Sequence, residues 1–270
     1  MADTQPQLYF FRNQAYFLKE NFIINDEELL QKFTTSIEHL CYFTLEMDKI
    51  IDGDYKVNSI EVKNYDFYSA VKSHQESVRI MTEIFPKDHG FWDHLDENNL
   101  QYYTTLSREK HNTLIKPILT LKEFEEYAVA KHALAFIPII GLNYIFSSRG
   151  NTEKLKEVYT FIFKGIQMND DIEDLSADIQ NDQWTYVRSR VEEFIKENNL
   201  DNESGLDKFE ERVFYVSGIA EELIAYSKEQ FINARNIALE NDYKEIVRWL
   251  DETISDLSNN EELVSDLVNN

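Results

Sequence analysis

An aspartate-rich stretch near the middle of the chain carries the side chains best suited to chemistry. It reads Asn-Asp-Asp-Ile-Glu-Asp-Leu-Ser-Ala-Asp-Ile-Gln-Asn over residues 169–181, whereas residues 97–169 contain no aspartate. Asp170, Asp174 and Asp178 recur at every fourth position, so a helix would align them along one edge about 12 Å long. Carboxylate oxygens are the ligands that Mg²⁺ takes, usually together with substrate phosphates. The spacing therefore predicts a magnesium and phosphate site.

The same spacing has a simpler explanation, because 50 of the 270 residues are acidic and such triples also arise by chance. A solvated acidic helix face is the competing hypothesis. Like charges one turn apart destabilise a helix unless a cation offsets them. The use of aspartate favours the metal site, as do the apolar residues around the same helix: Phe161, Ile162, Ile166, Ile172 and Leu175.

A second acidic pair lies upstream, where Asp48 and Asp52 are again four residues apart and Gly53-Asp54 follows. They fall at the end of a predicted helix, where the helix dipole is already negative and disfavours carboxylates. One hypothesis is a helix-ending turn. The other is that two aspartate-rich helices face each other across a bundle and share metal ions.

Composition narrows the class of protein. The net charge of −23 makes nucleic acid and anionic membrane surfaces poor partners. The single cysteine, Cys41, excludes a disulfide framework and fits a reducing compartment. The N-terminus does not resemble a signal peptide, and the apolar run from Ala133 to Leu142 is too short to span a bilayer. We expect a soluble, cytoplasmic protein without stable membrane insertion.

Helical periodicity extends along nearly the whole chain, and glycine and proline are scarce, at 7 and 4 residues. Asp26 and Asn151 are predicted to begin helices, Gly53 to end one, and Pro138 and Gly141 to kink or break another. The prediction is one all-α domain over residues 1–270, with a tail that frays after about residue 258. Predicted helices cover residues 5–20, 26–52, 64–85, 90–115, 122–147, 152–180, 184–199, 204–240 and 242–258.

Two aspartate-rich helices in an all-α chain of this length resemble the class I isoprenoid synthase fold. Terpene cyclases, polyprenyl diphosphate synthases and squalene/phytoene synthases share that fold. Asp174, Asp178 and Asn181 are similar to its second motif in the squalene/phytoene form, D-x-x-x-D-x-x-N. Asp170, Asp171 and Asp174 also fit the polyprenyl form, D-D-x-x-D, and Asp48-x-x-x-Asp52 resembles the first motif.

This resemblance covers roughly residues 30 to 250 and implies a single-domain helical bundle with a central apolar cavity. It implies two or three bound Mg²⁺ ions, with Mn²⁺ as an alternative, and it allows a homodimer. The implied catalytic residues are Asp48, Asp52, Asp170, Asp174 and Asp178, and the implied metal ligands are these five together with Asp171.

Departures from the family pattern favour a terpene cyclase that ionises one prenyl diphosphate. Met47 stands where a doubled aspartate would begin the first motif, and no Gly-Lys-x-x-Arg element precedes Asp48. A second diphosphate would be repelled by so acidic a protein unless a cationic pocket received it. The alternatives are a prenyltransferase, either head-to-head or chain-elongating, and a non-catalytic helical interaction protein.

The implied reaction needs cations that help the diphosphate leave and aromatic faces that stabilise the allylic cation. Lys131 has a second interpretation, in which its side chain extends to the surface, and each aromatic residue could equally be ordinary core packing. The candidate diphosphate-binding residues are Arg108, Lys110, Lys131, Asn181, Arg235 and Arg248. The candidate cavity residues are Phe124, Tyr127, Phe136, Tyr144 and Phe161.

Overall fold

A computed structural model describes the backbone of residues 10–11, 13–52, 64–200 and 205–269. The side chains of residues 52, 64–66 and 260–269 lie outside the description. The chain forms two compact units, Met1–Asp96 with Ile137–Gly150, and Glu97–Phe136 with Asn151–Asn270. Apart from one pair of two-residue strands, the regular structure described is helical, which confirms the all-α prediction.

The first unit holds a small aromatic core. The rings of Phe85 and Phe91 stack with centroids 3.9 Å apart, and Phe33 packs edge-on to both. The two strands pair antiparallel, with Phe22 opposite Ser148. The elements of this unit are α1 Gln14–Lys19, β1 Phe22–Ile23, α2 Glu27–Asp52, α3 Asn64–Ile84, the start of α4 Phe91–Ile115, α6 Ile137–Ile145 and β2 Ser147–Ser148.

The second unit is built around α7, with α11 packed along it and α12 packed on α11. Val158, Ile162 and Phe231 are among the buried side chains of these helices. The Ser227 hydroxyl donates a hydrogen bond to the carbonyl oxygen of Gly165, 2.9 Å away, and so ties α11 to α7. The elements are the rest of α4, α5 Leu121–Lys131, a 3₁₀ turn Ala133–Phe136, α7 Thr152–Glu173, α8 Leu175–Gln180, α9 Tyr186–Glu197, α10 Phe209–Val216, α11 Ile219–Glu240 and α12 Lys244–Asn269.

Both predicted N-caps are confirmed. The Leu29 amide donates to Oδ1 of Asp26, and the Glu153 amide donates to Oδ1 of Asn151, each over 2.9 Å. These carboxylate and amide oxygens satisfy backbone donors that the first helical turn leaves unpaired. Gly53, the predicted end of α2, lies outside the described residues.

Among the predicted helices that start at residue 26 or later, three are interrupted. Residues 122–147 break at His132, before Pro138, which is the second residue of α6 and therefore fits a helix start. Gly141 does not break α6: a Cβ there would lie 2.1 Å from Cζ of Phe33, so glycine allows close packing instead. Residues 204–240 are split by Gly218, whose φ of 87° favours glycine. The third interrupted helix is the one predicted over residues 152–180, which breaks at Asp174.

The last helix continues to Asn269, past its predicted end near residue 258. The single domain over residues 1–270 stays a prediction. Among the described residues no single helix is long and apolar enough to cross a membrane; Leu121–Lys131 and Ala133–Ile145 reach that threshold only as a pair, by length and composition.

Candidate functional site

The aspartate-rich segment forms the junction between α7 and α8, and the predicted unbroken helix is wrong at this point. Helix α7 ends at Glu173 and α8 begins at Leu175, with Asp174 between them. Aspartate is a mediocre helix former, and the like charges one turn away add strain at this position. The Asp174 amide still donates to the carbonyl of Asp170, 2.9 Å away, and the Asp178 amide donates to that of Asp174, 2.8 Å away. Backbone hydrogen bonds between residues four positions apart therefore continue across the interruption and keep the three aspartates on successive turns.

The three carboxylates of this edge differ in environment. Asp174 is exposed, Asp170 is half-buried and Asp178 is buried. The pKa of Asp178 is raised from 3.8 to about 7, mainly by burial and then by the negative charges of Asp174 and Asp170. Arg188 acts in the opposite direction. We call Asp170, Asp174 and Asp178 the acidic edge; its members repel one another, so a cation would be favoured there.

The raised pKa of Asp178 predicts a pH-dependent stability in metal-free protein. A carboxyl whose folded pKa exceeds its unfolded value adds stability that is complete below about pH 4 and is lost as pH rises through about 7. Asp178→Asn should therefore flatten the pH profile of the free energy of unfolding and leave the protein more stable than wild type at about pH 8. Urea denaturation in the presence of a chelator, at a series of pH values, measures this.

Asp182→Asn is the matched control, because Lys116 holds the pKa of the exposed Asp182 carboxyl below its usual value. Its removal should not stabilise the protein at high pH. A wild-type profile as flat as that of Asp178→Asn would contradict the prediction.

Asp171, the predicted metal ligand next in sequence, lies in a different environment. It is buried, and Nε2 of Gln167 donates to its Oδ1 over 2.7 Å. Burial raises its pKa well above the usual value, against the opposing hydrogen bond from Gln167. Asp171 therefore belongs to the interior of the second unit and not to the acidic edge.

Next to Asp171 the structure places a buried polar network centred on Glu109 of α4. The Tyr127 hydroxyl donates to Oε2 of Glu109 over 2.9 Å, and Nε2 of Gln183 donates to Oε1 over 2.8 Å. The Lys131 ammonium lies 3.5 Å from Oε2. Lys131 is thus paired with a buried anion, and its alternative interpretation as a surface-reaching side chain is wrong.

A small cavity adjoins this network. Its volume is about 30 Å³, room for roughly one water molecule and far below the several hundred Å³ of a typical ligand pocket. Four residues singled out from the sequence line it, namely Arg108, Phe124, Tyr127 and Asp171. The structure brings these four together, but this cavity is not the predicted prenyl-sized one.

Arg188, which the sequence analysis missed, anchors the turn after α8. Its Nη1 donates to the carbonyl oxygens of Gln183, 2.6 Å away, and Asp178, 3.3 Å away. Its Nε lies 3.2 Å from Oε2 of Glu210. Arg188 is buried on the face of α9 that also carries Val191. A signal for it existed, because a cation at an apolar helical position calls for an anion.

The remaining predicted diphosphate-binding residues differ in solvent exposure and in their ion-pair partners. Arg108 is exposed and lies 3.7 Å from Glu123. Lys110 is half-buried, and Asn181 is exposed at the end of α8. Two others are paired with carboxylates of α12, Arg235 with Asp251 and Arg248 with Glu245.

The first predicted motif falls on α2 in the first unit. Asp48 is half-buried, and the side chain of Asp52 lies outside the described residues. Whether both are metal ligands stays a prediction.

The candidate cavity aromatics contact neighbouring rings or, in one case, a lysine ammonium. The ring of Phe124 packs on Tyr186, with centroids 5.0 Å apart, and Phe136 packs edge-on to Phe163. Phe161 lies beneath the Lys164 ammonium at 5.7 Å. In the first unit, Tyr144 is exposed and contacts the ring of His89.

The ligand chemistry of the acidic edge determines which metal would fit. Among the residues described, no three His, Cys, Asp or Glu side chains converge closely enough to hold a metal by themselves. The edge offers only carboxylate oxygens, one of them buried and repelled by its neighbours. Such a set fits Mg²⁺ that is shared with phosphate oxygens and water, and does not fit a closed protein cage.

No protein-family model matches this chain, and a search of curated proteins finds no match. The resemblance to isoprenoid synthases therefore stays a hypothesis, carried by the aspartate motifs and the helical fold.

Proposed function

We propose that this protein is a magnesium-dependent class I terpene synthase, which ionises a linear prenyl diphosphate, releases pyrophosphate and cyclises the resulting cation. The observation that carries the proposal is the acidic edge, where Asp170, Asp174 and Asp178 sit on successive turns across the α7–α8 junction. The all-α fold is compatible with it.

The chain's own residues would act mainly by position and charge. Asp170, Asp174 and Asp178 would hold the metal with their carboxylate oxygens. Bound Mg²⁺ would neutralise the diphosphate and stabilise the negative charge that develops on the leaving group. Arg188 would keep the end of α8 in place through its bonds to the carbonyls of Asp178 and Gln183.

Among the residues predicted to donate hydrogen bonds to the diphosphate, the observed contacts favour Arg108 over Lys131. The Lys131 ammonium lies in the interior against Glu109, and its side chain is only 17% exposed. Arg108 is exposed and has a loose contact with Glu123 at 3.7 Å, which costs little to exchange for a phosphate oxygen. A guanidinium also pairs with phosphate through two hydrogen bonds. We therefore propose Arg108, ahead of Lys131, as the residue that donates hydrogen bonds to the diphosphate.

The competing function is a helical interaction protein without catalysis. The exposed position of Asp174 favours it, because a carboxylate on a solvated acidic helix face is stabilised by water and needs no metal. A prenyltransferase would instead need a second, cationic diphosphate site, which the sequence does not indicate.

Joint binding of Mg²⁺ and pyrophosphate tests the proposal without any assumption about the substrate. The two ligands together should raise the melting temperature by several degrees, and either one alone should raise it much less, because each neutralises the other at the site. Asp174→Asn should abolish the rise in melting temperature that Mg²⁺ and pyrophosphate produce together. Differential scanning fluorimetry measures it.

Glu173→Gln is the matched control. It removes the same charge from the neighbouring position, where the Glu173 carboxylate accepts a hydrogen bond from the Asn169 side chain. With Mg²⁺ and pyrophosphate together, its melting temperature should rise by as much as that of wild type. If neither wild type nor control responds to the two ligands together, the acidic edge is a solvated helix face.

A further inference from the structure

The end of α8 forms a Schellman cap that includes one member of the acidic edge. The Gln183 amide donates to the carbonyl oxygen of Asp178 over 2.8 Å, and the Asp182 amide donates to that of Ile179 over 3.3 Å. Asp182 has a φ of 54°, the left-handed conformation that such a cap requires. We call residues 178–183 the α8 cap. Through it, the backbone of Asp178 is bonded directly to Gln183.

The side chain of Gln183 connects the α8 cap to α4. The residue at this position of a Schellman cap frequently makes an apolar contact. Gln183 is polar instead, and its Nε2 donates to Oε1 of Glu109 over 2.8 Å. Glu109 is itself held in place, because the Tyr127 hydroxyl and the Lys131 ammonium contact its other oxygen. The α8 cap is thus attached to a buried, ion-paired carboxylate.

Two neighbouring contacts attach the same turn to the same part of α4. Nζ of Lys116, the residue after α4, lies 2.6 Å from Oδ1 of Asp182, and the Trp184 amide donates to Oγ1 of Thr113 over 3.2 Å. Glu109, Thr113 and Lys116 are spaced by four and three residues, which places them along one helix face. Three successive residues of the turn therefore contact one face of α4 and its end.

Helix α8 depends on such contacts for its position. It has only six residues, Leu175–Gln180, and an isolated helix of that length is unstable in water. The position of the Asp178 carboxylate relative to the rest of the acidic edge therefore depends on what holds the α8 cap. Residues that orient a metal ligand without contacting the metal commonly contribute about 10- to 100-fold to metal affinity.

We propose that Gln183 is a positioning residue of the acidic edge. By holding the α8 cap on Glu109, it keeps the Asp178 carboxylate where it can share Mg²⁺ with Asp170 and Asp174. Gln183 acts through the backbone of Asp178 and contacts neither the metal nor the diphosphate. This inference rests on the proposed function, because it names a residue that sets the ligand affinity of the same site.

Isothermal titration calorimetry of the full-length protein with pyrophosphate in excess Mg²⁺ tests this role. Gln183→Met keeps the length of the side chain but removes its hydrogen-bond donor, so the Kd should rise about tenfold. The melting temperature without ligand should fall by only a few degrees, because Tyr127 and Lys131 still contact Glu109.

Ser227→Ala is the matched control. It also removes one hydrogen bond from the second unit, the bond from the buried Ser227 hydroxyl of α11 to the Gly165 carbonyl of α7. Its melting temperature should likewise fall by a few degrees, and its Kd should equal that of wild type. A merely structural role for Gln183 would leave the Kd unchanged in both variants.

Amide hydrogen exchange without ligand measures the effect on the α8 cap itself. In Gln183→Met the amides of Asp182 and Gln183's replacement should exchange faster than in wild type, whereas those of α11 should not change. Unchanged exchange at the α8 cap would overturn the inference, because the cap would then not depend on the Gln183 side chain.

The calorimetry distinguishes failure of this inference from failure of the proposed function. Binding by wild type with an equal Kd in Gln183→Met overturns the inference and leaves the proposed function intact. An equal rise of the Kd in Ser227→Ala also overturns it, because the effect would then reflect lost stability. No binding by wild type overturns both.

Discussion

Replacing Lys131 with methionine is expected to lower the free energy of unfolding by about 3–5 kcal/mol, since it leaves a buried charge without its counterion. The Glu109 side chain is only 6% exposed, and the Lys131 ammonium lies 3.5 Å from its Oε2. Tyr127 and Gln183 would still donate hydrogen bonds to the carboxylate. Two neutral donors do not replace a full positive charge in the interior. Urea denaturation followed by circular dichroism measures the loss.

Lys164→Met provides the matched control for this prediction. Lys164 is about as buried as Lys131, at 16% exposed, but its partner Glu125 is 32% exposed and can be solvated when the cation is removed. The loss should therefore be much smaller. Adding Glu109→Gln to Lys131→Met should recover most of the stability, because the buried charge is then gone as well. Equal losses in the two lysine variants would show that Glu109 is not a buried, charge-dependent partner.

Changing Asp174 to asparagine is expected to reduce turnover of a prenyl diphosphate by about 100-fold or more. The amide keeps the size of the carboxylate but loses the charge and one oxygen ligand for Mg²⁺. Asp174 is the exposed member of the acidic edge, so the change should leave stability nearly intact. Pyrophosphate release at saturating substrate measures the effect.

Glu173→Gln again serves as the control for that loss. It changes the charge of the same helix end by the same amount without touching the acidic edge, and it should keep nearly wild-type turnover. Equal losses in the two variants would point to the overall charge of the helix end. Equal activity in Asp174→Asn and wild type would remove Asp174 from the site.

The helices could largely be predicted from the sequence because their signals are local. Periodic apolar residues and the caps at Asp26 and Asn151 act within a few residues of each helix start. The breaks at His132 and Asp174 were not predictable in this way. They depend on tertiary packing and on local charge repulsion, which periodicity does not report.

The candidate site was predictable where it is contiguous in sequence and unpredictable where it is not. The spacing of Asp170, Asp174 and Asp178 was visible directly. The role of Glu109 depends on Lys131, 22 positions later, and on Gln183 from another element. A single sequence gives no measure of such long-range pairing, so Lys131 was assigned to a diphosphate although the structure pairs it with Glu109.

The most direct test of the central claim is pyrophosphate release by the purified protein with Mg²⁺ and, separately, geranyl, farnesyl and geranylgeranyl diphosphate, with gas chromatography of hexane extracts. The proposed function predicts a cyclic hydrocarbon or alcohol from at least one substrate alone, and its loss in Asp174→Asn. Pyrophosphate released only when a second prenyl or aromatic acceptor is added would identify a transferase instead. No release with any substrate, and no melting-temperature shift with Mg²⁺ and pyrophosphate, would contradict the assignment of a catalytic site to the acidic edge.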